Sequence, residues 1–176
     1  MARKGYGLAV MRIHLSESAI NTLSEIQANT PVDISTMYGM LIKKIVLRLN
    51  MGDPPAAAPA ADALVKTAAT CALSTRNGET TIPALGDPGV LAINEVSQWE
   101  RSQSADGGNA MAFHGERYVP WDFPAGGLAV SDRTLSLYVV SYGVTTTSTA
   151  SAMIMYELVK MDALKYMAAL SVMETM

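Results

Sequence analysis

Two alternating segments late in the sequence constrain the fold most strongly. In residues 135–142, large apolar side chains occupy alternate positions at Leu135, Leu137 and Val139. Residues 153–161 repeat the pattern with Ile154, Tyr156 and Leu158. A run rich in Thr and Ser, residues 145–151, separates the two segments. A period of two is typical of β-strands, whereas an amphipathic helix repeats every 3.6 residues. The sequence therefore predicts two strands joined by a polar turn.

Further strands are predicted along the rest of the chain. Residues 40–49 place Leu41, Ile45, Leu47 and Leu49 on one face; Lys43 interrupts the alternation, so we expect it at a strand end. Residues 16–28 fit either a helix or a strand, and their Ser, Thr and Asn content favours a strand. The remaining predicted strands cover residues 8–15, 63–74, 90–100 and the short segment 110–114.

Turn and loop signals separate these segments. Asn77-Gly78 and residues 85–89 are typical turns, and residues 102–109 are polar and contain glycine. Residues 51–62 contain three prolines among alanines, which predicts a surface loop. Residues 118–127, with two prolines, two glycines and three aromatic residues, are predicted to form a structured loop.

These elements predict an all-β chain. Short strands separated by turns favour a sandwich or a jelly roll, and the absence of long helical segments between them argues against a doubly wound sheet. We expect residues 1–176 to form one domain, a single jelly roll or antiparallel β-sandwich of about eight strands. A short C-terminal helix is expected after Asp162, from the spacing of Leu164, Met167, Ala168 and Leu170.

The low content of charge bears on partners. Charged residues make up 16% of the chain, where about 25% is usual for a soluble domain. The surface is therefore either neutral and polar or partly buried against copies of the same chain. With a net charge of −3 and only Arg3 and Lys4 near the start, the sequence has no strong nucleic-acid signal. The sequence contains no run of eighteen apolar residues, so it predicts no transmembrane helix.

Methionine marks the candidate contact between subunits. The chain has 12 methionines, and interface cores are depleted of charge and enriched in Met and aromatic residues, although Met also fills ordinary cores. The Met-rich segment 153–176 is therefore the expected subunit interface. The candidate interface residues are Met153, Met155, Tyr156, Met161, Tyr166 and Met167.

The residues that suggest chemistry have simpler interpretations. Cys71, the only cysteine, lies in an apolar run and fits a small buried side chain better than a nucleophile. His114 and Glu116 share one face of an extended segment but lack further metal ligands, with His14 as the only other histidine. We therefore expect no enzyme activity, no metal and no cofactor. The aromatic residues Tyr118, Trp121 and Phe123 form either a carbohydrate or peptide contact or, more simply, an anchor for their loop.

Two segments carry a family resemblance. One is Asn29-Thr30-Pro31-Val32 ahead of the strand at residues 40–49. The other is the pair of closing strands, ending in Tyr156-Glu157-Leu158-Val159-Lys160. Together they resemble small single jelly-roll capsid proteins of icosahedral viruses, over about half of the chain.

The resemblance implies a virion protein that forms capsomers and then a capsid with copies of itself. Many such proteins carry a basic arm at the start of the chain, which is missing here. That leaves room for a genome neutralised by another protein, or for a shell around a membrane vesicle. A second capsid protein is a further candidate partner, and we expect no small-molecule substrate. Two alternatives stay open: a jelly-roll binding module, lectin-like or a phage accessory protein, and a cupin-type metalloenzyme.

Overall fold

Nine β-strands make up the regular structure in the computed structural model, which describes residues 7–33, 35–55, 64–101, 116–123 and 127–162. No helix occurs within these ranges. In chain order the strands are β1 (Ala9–Ser16), β2 (Ser24–Asn29), β3 (Tyr38–Asn50), β4 (Leu64–Ser74), β5 (Val90–Arg101), β6 (Glu116–Asp122), β7 (Leu128–Val130), β8 (Thr134–Tyr142) and β9 (Thr149–Lys160).

The strands form two antiparallel sheets with a nested order. Sheet A has the order β1-β9-β3-β6, with β7 also on β3, and sheet B has the order β2-β8-β4-β5. Since β9 pairs with β3 along its whole length, β6 and β7 share the other edge of β3 and occupy one strand position. The pairs β1–β9, β2–β8, β3–β6 and β4–β5 therefore nest inside one another, as in a folded ribbon. The predicted all-β jelly-roll sandwich of about eight strands is confirmed.

The core lies between the two sheets. Ile45 and Leu47 of β3 and Ile154 of β9 face Leu73, Leu135 and Leu137 of sheet B, and all six are fully buried. Complete burial of one such side chain stabilises the fold by about 1.5–3 kcal/mol. The predicted alternation in β1 also holds, because Ile13 and Leu15 are buried while Arg12 and His14 are exposed.

A β-bulge in the middle of β3 corrects the predicted faces of this strand. The register against β9 shifts between Ile42 and Lys44, so Lys43 is the extra residue. Before the bulge Ile42 is buried and Leu41 is only partly buried, opposite to the prediction. Lys43 lies inside the strand rather than at its end, and its carbonyl accepts a hydrogen bond from the N–H of Phe123 at 3.1 Å.

Another correction concerns the predicted loop at residues 118–127. Its first half, through Asp122, belongs to β6 and pairs with β3. Pro120 lies opposite Val46 in this strand. A proline is tolerated there because β6 is an edge strand, where a backbone donor can be missing without breaking a ladder. Pro120 therefore marks a sheet edge rather than the predicted loop.

Ser16 ends β1, and the rest of the ambiguous segment at residues 16–28 is a strand only from Ser24 onward. Residues 17–23 connect β1 to β2, and Asn21 adopts a φ of 56° in this connection. Three predictions lie outside the described residues: the strand at 110–114, the loop at 102–109 and the helix after Asp162. Residues 56–62 of the loop predicted at 51–62 lie outside them as well. Within the described ranges, no helix is long and apolar enough to cross a membrane.

Candidate functional site

Exposed aliphatic side chains concentrate on one side of the sandwich. We call this the β1–β2 side. It consists of Leu8, strand β1, strand β2 and the connection between the two strands. It exposes Leu8 (58%), Val10 (45%), Ile20 (45%) and Ile26 (39%). The two strands contact each other, and each is the edge of its own sheet. Backbone groups on their outer edges are therefore not used within either sheet in the described part of the chain.

The outer face of sheet A, the face turned away from sheet B, holds part of the predicted interface. Met153 and Met155 alternate with the buried residues of β9 and lie on this face, beside Val46 of β3. All three are partly buried. Met153 and Met155 therefore stay candidates for a contact made by this face.

The other predicted interface residues are placed differently. Tyr156 points inward and packs against the core. Met161 is 6% exposed and packs with Ala129 and Val159. These two side chains are thus engaged within one chain. Tyr166 and Met167 lie outside the described residues.

Charged and polar groups border the methionines on the same face. Lys44 pairs with Asp122 at 3.1 Å. Exposed ion pairs of this kind contribute about 0–1 kcal/mol. His14 Nδ1 lies 2.8 Å from the hydroxyl of Ser151, and Arg12 is exposed. The outer face of sheet A is therefore mixed in character. Its edge strand β1 contributes the exposed Val10, opposite Met155, together with the exposed Arg12 and His14.

A buried carboxylate fixes the loops at one end of the β1–β2 side. Glu17, directly after β1, is 5% exposed. It accepts hydrogen bonds from the N–H and hydroxyl of Ser141 in β8 and from the N–H of Ser148 before β9. Its own N–H donates to the carbonyl of Ser148 at 3.0 Å. Sequence reasoning missed this residue, because both partners lie more than a hundred positions away along the chain.

Cys71 has the properties of a core residue. Its side chain is fully buried on the inner face of β4. Burial raises the pKa of its thiol to about 12, and the thiolate is the nucleophilic form of cysteine. This supports the interpretation of Cys71 as a small buried hydrophobic residue.

The aromatic residues of the expected loop contact are divided. Trp121, in β6, and Phe123, just after it, are partly buried and pack against the core. Tyr118 is paired with Arg48 in the backbone register, and its side chain lies outside the described residues. The packing of Trp121 and Phe123 favours the simpler interpretation, in which they anchor this part of the chain.

The structure does not describe the side chains of the candidate metal ligands His114 and Glu116. His114 and the side chain of Glu116 lie outside the described residues. Among the residues that are described, no group of three or more His, Cys, Asp or Glu side chains is placed to hold a metal ion.

No family model matches the chain, and no curated protein matches its sequence. The residues and the geometry described above are therefore the basis for any functional assignment.

Proposed function

We propose that this chain is a structural subunit that assembles with copies of itself into an icosahedral virus shell. The β1–β2 side is the observation that carries the proposal. Leu8, Val10, Ile20 and Ile26 are exposed there, next to two edge strands. A copy bound against this side would remove the aliphatic side chains from water and cover the strand edges.

The physical reason is the cost of leaving such a side exposed. Soluble monomers commonly protect strand edges with charged residues, prolines or covering segments. Burying apolar surface contributes roughly 25 cal/mol per Å². A contact of modest area, repeated around every subunit of a closed shell, suffices to hold the shell together. The low content of charge, 16% of residues, agrees with a surface that is largely used for contacts.

The fold agrees with this proposal without selecting it. Jelly rolls occur in viral capsids, in lectins and in cupins, so fold alone does not assign function. The binding-module alternative rests on Tyr118, Trp121 and Phe123, and two of these, Trp121 and Phe123, pack against the core. The β1–β2 side thus favours the shell subunit over the binding module.

The proposed shell has partners besides its own copies. A net charge of −3 gives the chain little attraction for a nucleic acid. The genome would therefore be neutralised by another protein or separated from the shell by a membrane vesicle. A second capsid protein is a natural companion in either arrangement.

Assembly of the purified protein tests the proposal. We expect capsomers or larger particles by light scattering coupled to size-exclusion chromatography and by electron microscopy. The double variant Ile20→Glu/Ile26→Glu places two carboxylates on the β1–β2 side and should give smaller species. Leu85→Glu is the matched control, because Leu85 is 65% exposed and belongs to the β4–β5 connection rather than to β1, β2 or the segment that joins them.

Circular dichroism and thermal unfolding should show that both variants keep the fold. A wild-type protein that stays monomeric at high concentration, across salt and pH, would contradict the proposal. So would a Leu85→Glu variant that disrupts assembly as strongly as the double variant.

A further inference from the structure

Hydrogen bonds at the ends of β1 and β2 show which backbone groups of these edge strands face outward. Glu17 N–H donates to the carbonyl of Ser148, directly opposite it in the register of β1 with β9. Thr30 N–H donates to the carbonyl of Arg133, directly opposite it in the register of β2 with β8. Antiparallel strands alternate between hydrogen-bonded and non-hydrogen-bonded pairs, so every second residue directs its N–H and C=O away from its sheet. These outward residues are Val10, Arg12, His14 and Ser16 of β1, and Glu25, Gln27 and Asn29 of β2.

The ionisable side chains of the two edges are complementary. Strand β1 carries the exposed Arg12 and His14 and no carboxylate. Strand β2 carries Glu25 and no basic side chain. Hydrogen bonds from the hydroxyl of Ser136 and the N–H of Gly78 hold the Glu25 carboxylate at this edge. A carboxylate has further acceptor sites, so Glu25 can also accept from a basic side chain of another molecule.

The outward residues of the two strands lie at matching levels along the sandwich. Glu17, the first residue after β1, binds Ser141 of the opposite sheet. In the register of β2 with β8, Ser141 lies two positions beyond the start of β2. Counting from this level along both strands brings His14 of β1 level with Glu25 of β2. The other outward residues then fall level with one another as well.

Two twofold arrangements can bring a second copy against this side. One sets β1 against β1 and β2 against β2, so that Arg12 approaches Arg12 or His14 of the copy and Glu25 meets no cation. Like charges directly opposite each other on a sheet are destabilising, and opposite charges are favourable. The other arrangement has its axis parallel to the strands, which preserves the levels and sets β1 against the β2 of the copy. Charge and level therefore both favour this crossed pairing.

We infer that a second copy of this chain pairs its β2 with β1 and its β1 with β2, about a twofold axis parallel to the strands. Each sheet A then continues into sheet B of the other copy, and backbone hydrogen bonds join both edges. Glu25 of one copy lies opposite His14 of the other, with Arg12 at the next outward position. Ile26, which shares the inward side of β2 with the buried Ser24 and is 39% exposed, is covered by β1 of the copy.

The inference rests on the proposed assembly through the β1–β2 side and gives that contact its geometry. A twofold contact uses the same patch on both subunits and closes on itself. A shell therefore requires at least one further contact, from another surface of the subunit.

Cross-linking between engineered cysteines tests the crossed pairing in the full chain. Arg12→Cys and Gln27→Cys lie level with each other, and the native Cys71 is fully buried with its thiol pKa raised to about 12. A short bismaleimide should link the two single variants when they are co-expressed with different tags, and should link neither variant to itself. The matched control, Ser97→Cys, is exposed on β5 and should not be linked to Arg12→Cys.

The possible results separate this inference from the proposed function. A link of Arg12→Cys to itself, or of Gln27→Cys to itself, places like strands together and overturns the crossed pairing while assembly through the β1–β2 side stands. Equal linking of the Ser97→Cys control, or no link in a protein that assembles and that Ile20→Glu/Ile26→Glu dissociates, also overturns only the inference. A parent protein that stays monomeric contradicts the proposed function and the inference together.

Discussion

The carboxylate of Glu17 accepts two hydrogen bonds from Ser141, one from its backbone N–H at 2.6 Å and one from its hydroxyl at 2.7 Å. Glu17 follows a strand of sheet A, and Ser141 belongs to a strand of sheet B. The pair therefore ties the two sheets together at one end of the sandwich. The second carboxylate oxygen accepts the N–H of Ser148 at 2.7 Å, which adds the β8–β9 connection to the same contact.

Removing this carboxylate should destabilise the fold. In Glu17→Ala the N–H groups of Ser141 and Ser148 lose their acceptor in a buried place, at a cost of about 1–3 kcal/mol for each unsatisfied group. We expect a lower Tm, by roughly 2–4 °C for each kcal/mol lost. Thermal unfolding followed by circular dichroism measures the change. Ser97→Ala, at an exposed position of β5, is the control and should stay within about 0.5 kcal/mol of the parent. Similar losses in both variants would contradict the role given to Glu17.

A side chain at position 52 should also destabilise the protein. Gly52 donates its N–H to the hydroxyl of Ser148 at 2.9 Å. A Cβ on Gly52 would collide with the backbone carbonyl oxygen of Thr146, which cannot move as a flexible side chain does. We expect Gly52→Ala to cost about 1–3 kcal/mol in chemical unfolding, the range for overpacked sites. Gly7→Ala, where nothing lies within 4 Å of the added carbon, should be neutral. A Gly52→Ala protein as stable as the parent would show that the β3–β4 and β8–β9 connections are not in such close contact.

The pH dependence of stability should reveal Asp132. Burial raises the pKa of this carboxyl above its ordinary value of 3.8. Its Oδ2 has no hydrogen-bond partner within the described structure. The stabilising contribution of the protonated form is present below pH 3.8 and is lost as the pH rises through the folded pKa. Asp132→Asn should therefore raise stability at neutral pH and lose this advantage in acid.

The pKa of Asp33 is shifted in the opposite direction to that of Asp132. Hydrogen bonds from Ser35 and Thr36 lower the pKa of this exposed carboxyl. Its contribution is present above pH 3.8 and lost as the pH falls through the folded pKa. Asp33→Asn should reduce stability slightly at neutral pH. Denaturant midpoints measured over a pH series test both signs, and a neutral-pH loss in Asp132→Asn would refute the account of its burial.

Most of the fold could be predicted because one face of most strands is buried. In β1, and in β9 as far as Ile154, the alternation of side chains follows the alternation of burial directly. In β8 the pattern identified the strand but not its exposure. Tyr138, on the outer face of sheet B, is fully buried because the β4–β5 connection covers it, and its hydroxyl donates to the carbonyl of Arg76 at 3.0 Å. A local pattern reports which residues share a face and says less about what covers that face.

The sequence-based predictions that differ from the structure also have physical causes. The bulge at Lys43 reverses the phase of a regular period, so the faces were wrong on one side of it. Pro120 is compatible with β6 only because the strand lies at an edge, which depends on sheet order. Glu17 looks like an ordinary surface carboxylate in sequence, and its burial depends on residues from two later connections. Each of these features is decided by contacts between distant parts of the chain.

The position of β9 between β1 and β3 sets the order of events during synthesis. Strands β1 and β3 do not pair with each other. Each pairs with β9, the last strand in the described part of the chain. Sheet A is therefore incomplete on the ribosome until Lys160 has emerged, and pairings of such long sequence separation form slowly. A nascent chain would lack the finished β1–β2 side until that moment. In a shell protein this delay would keep unfinished chains from joining a growing particle.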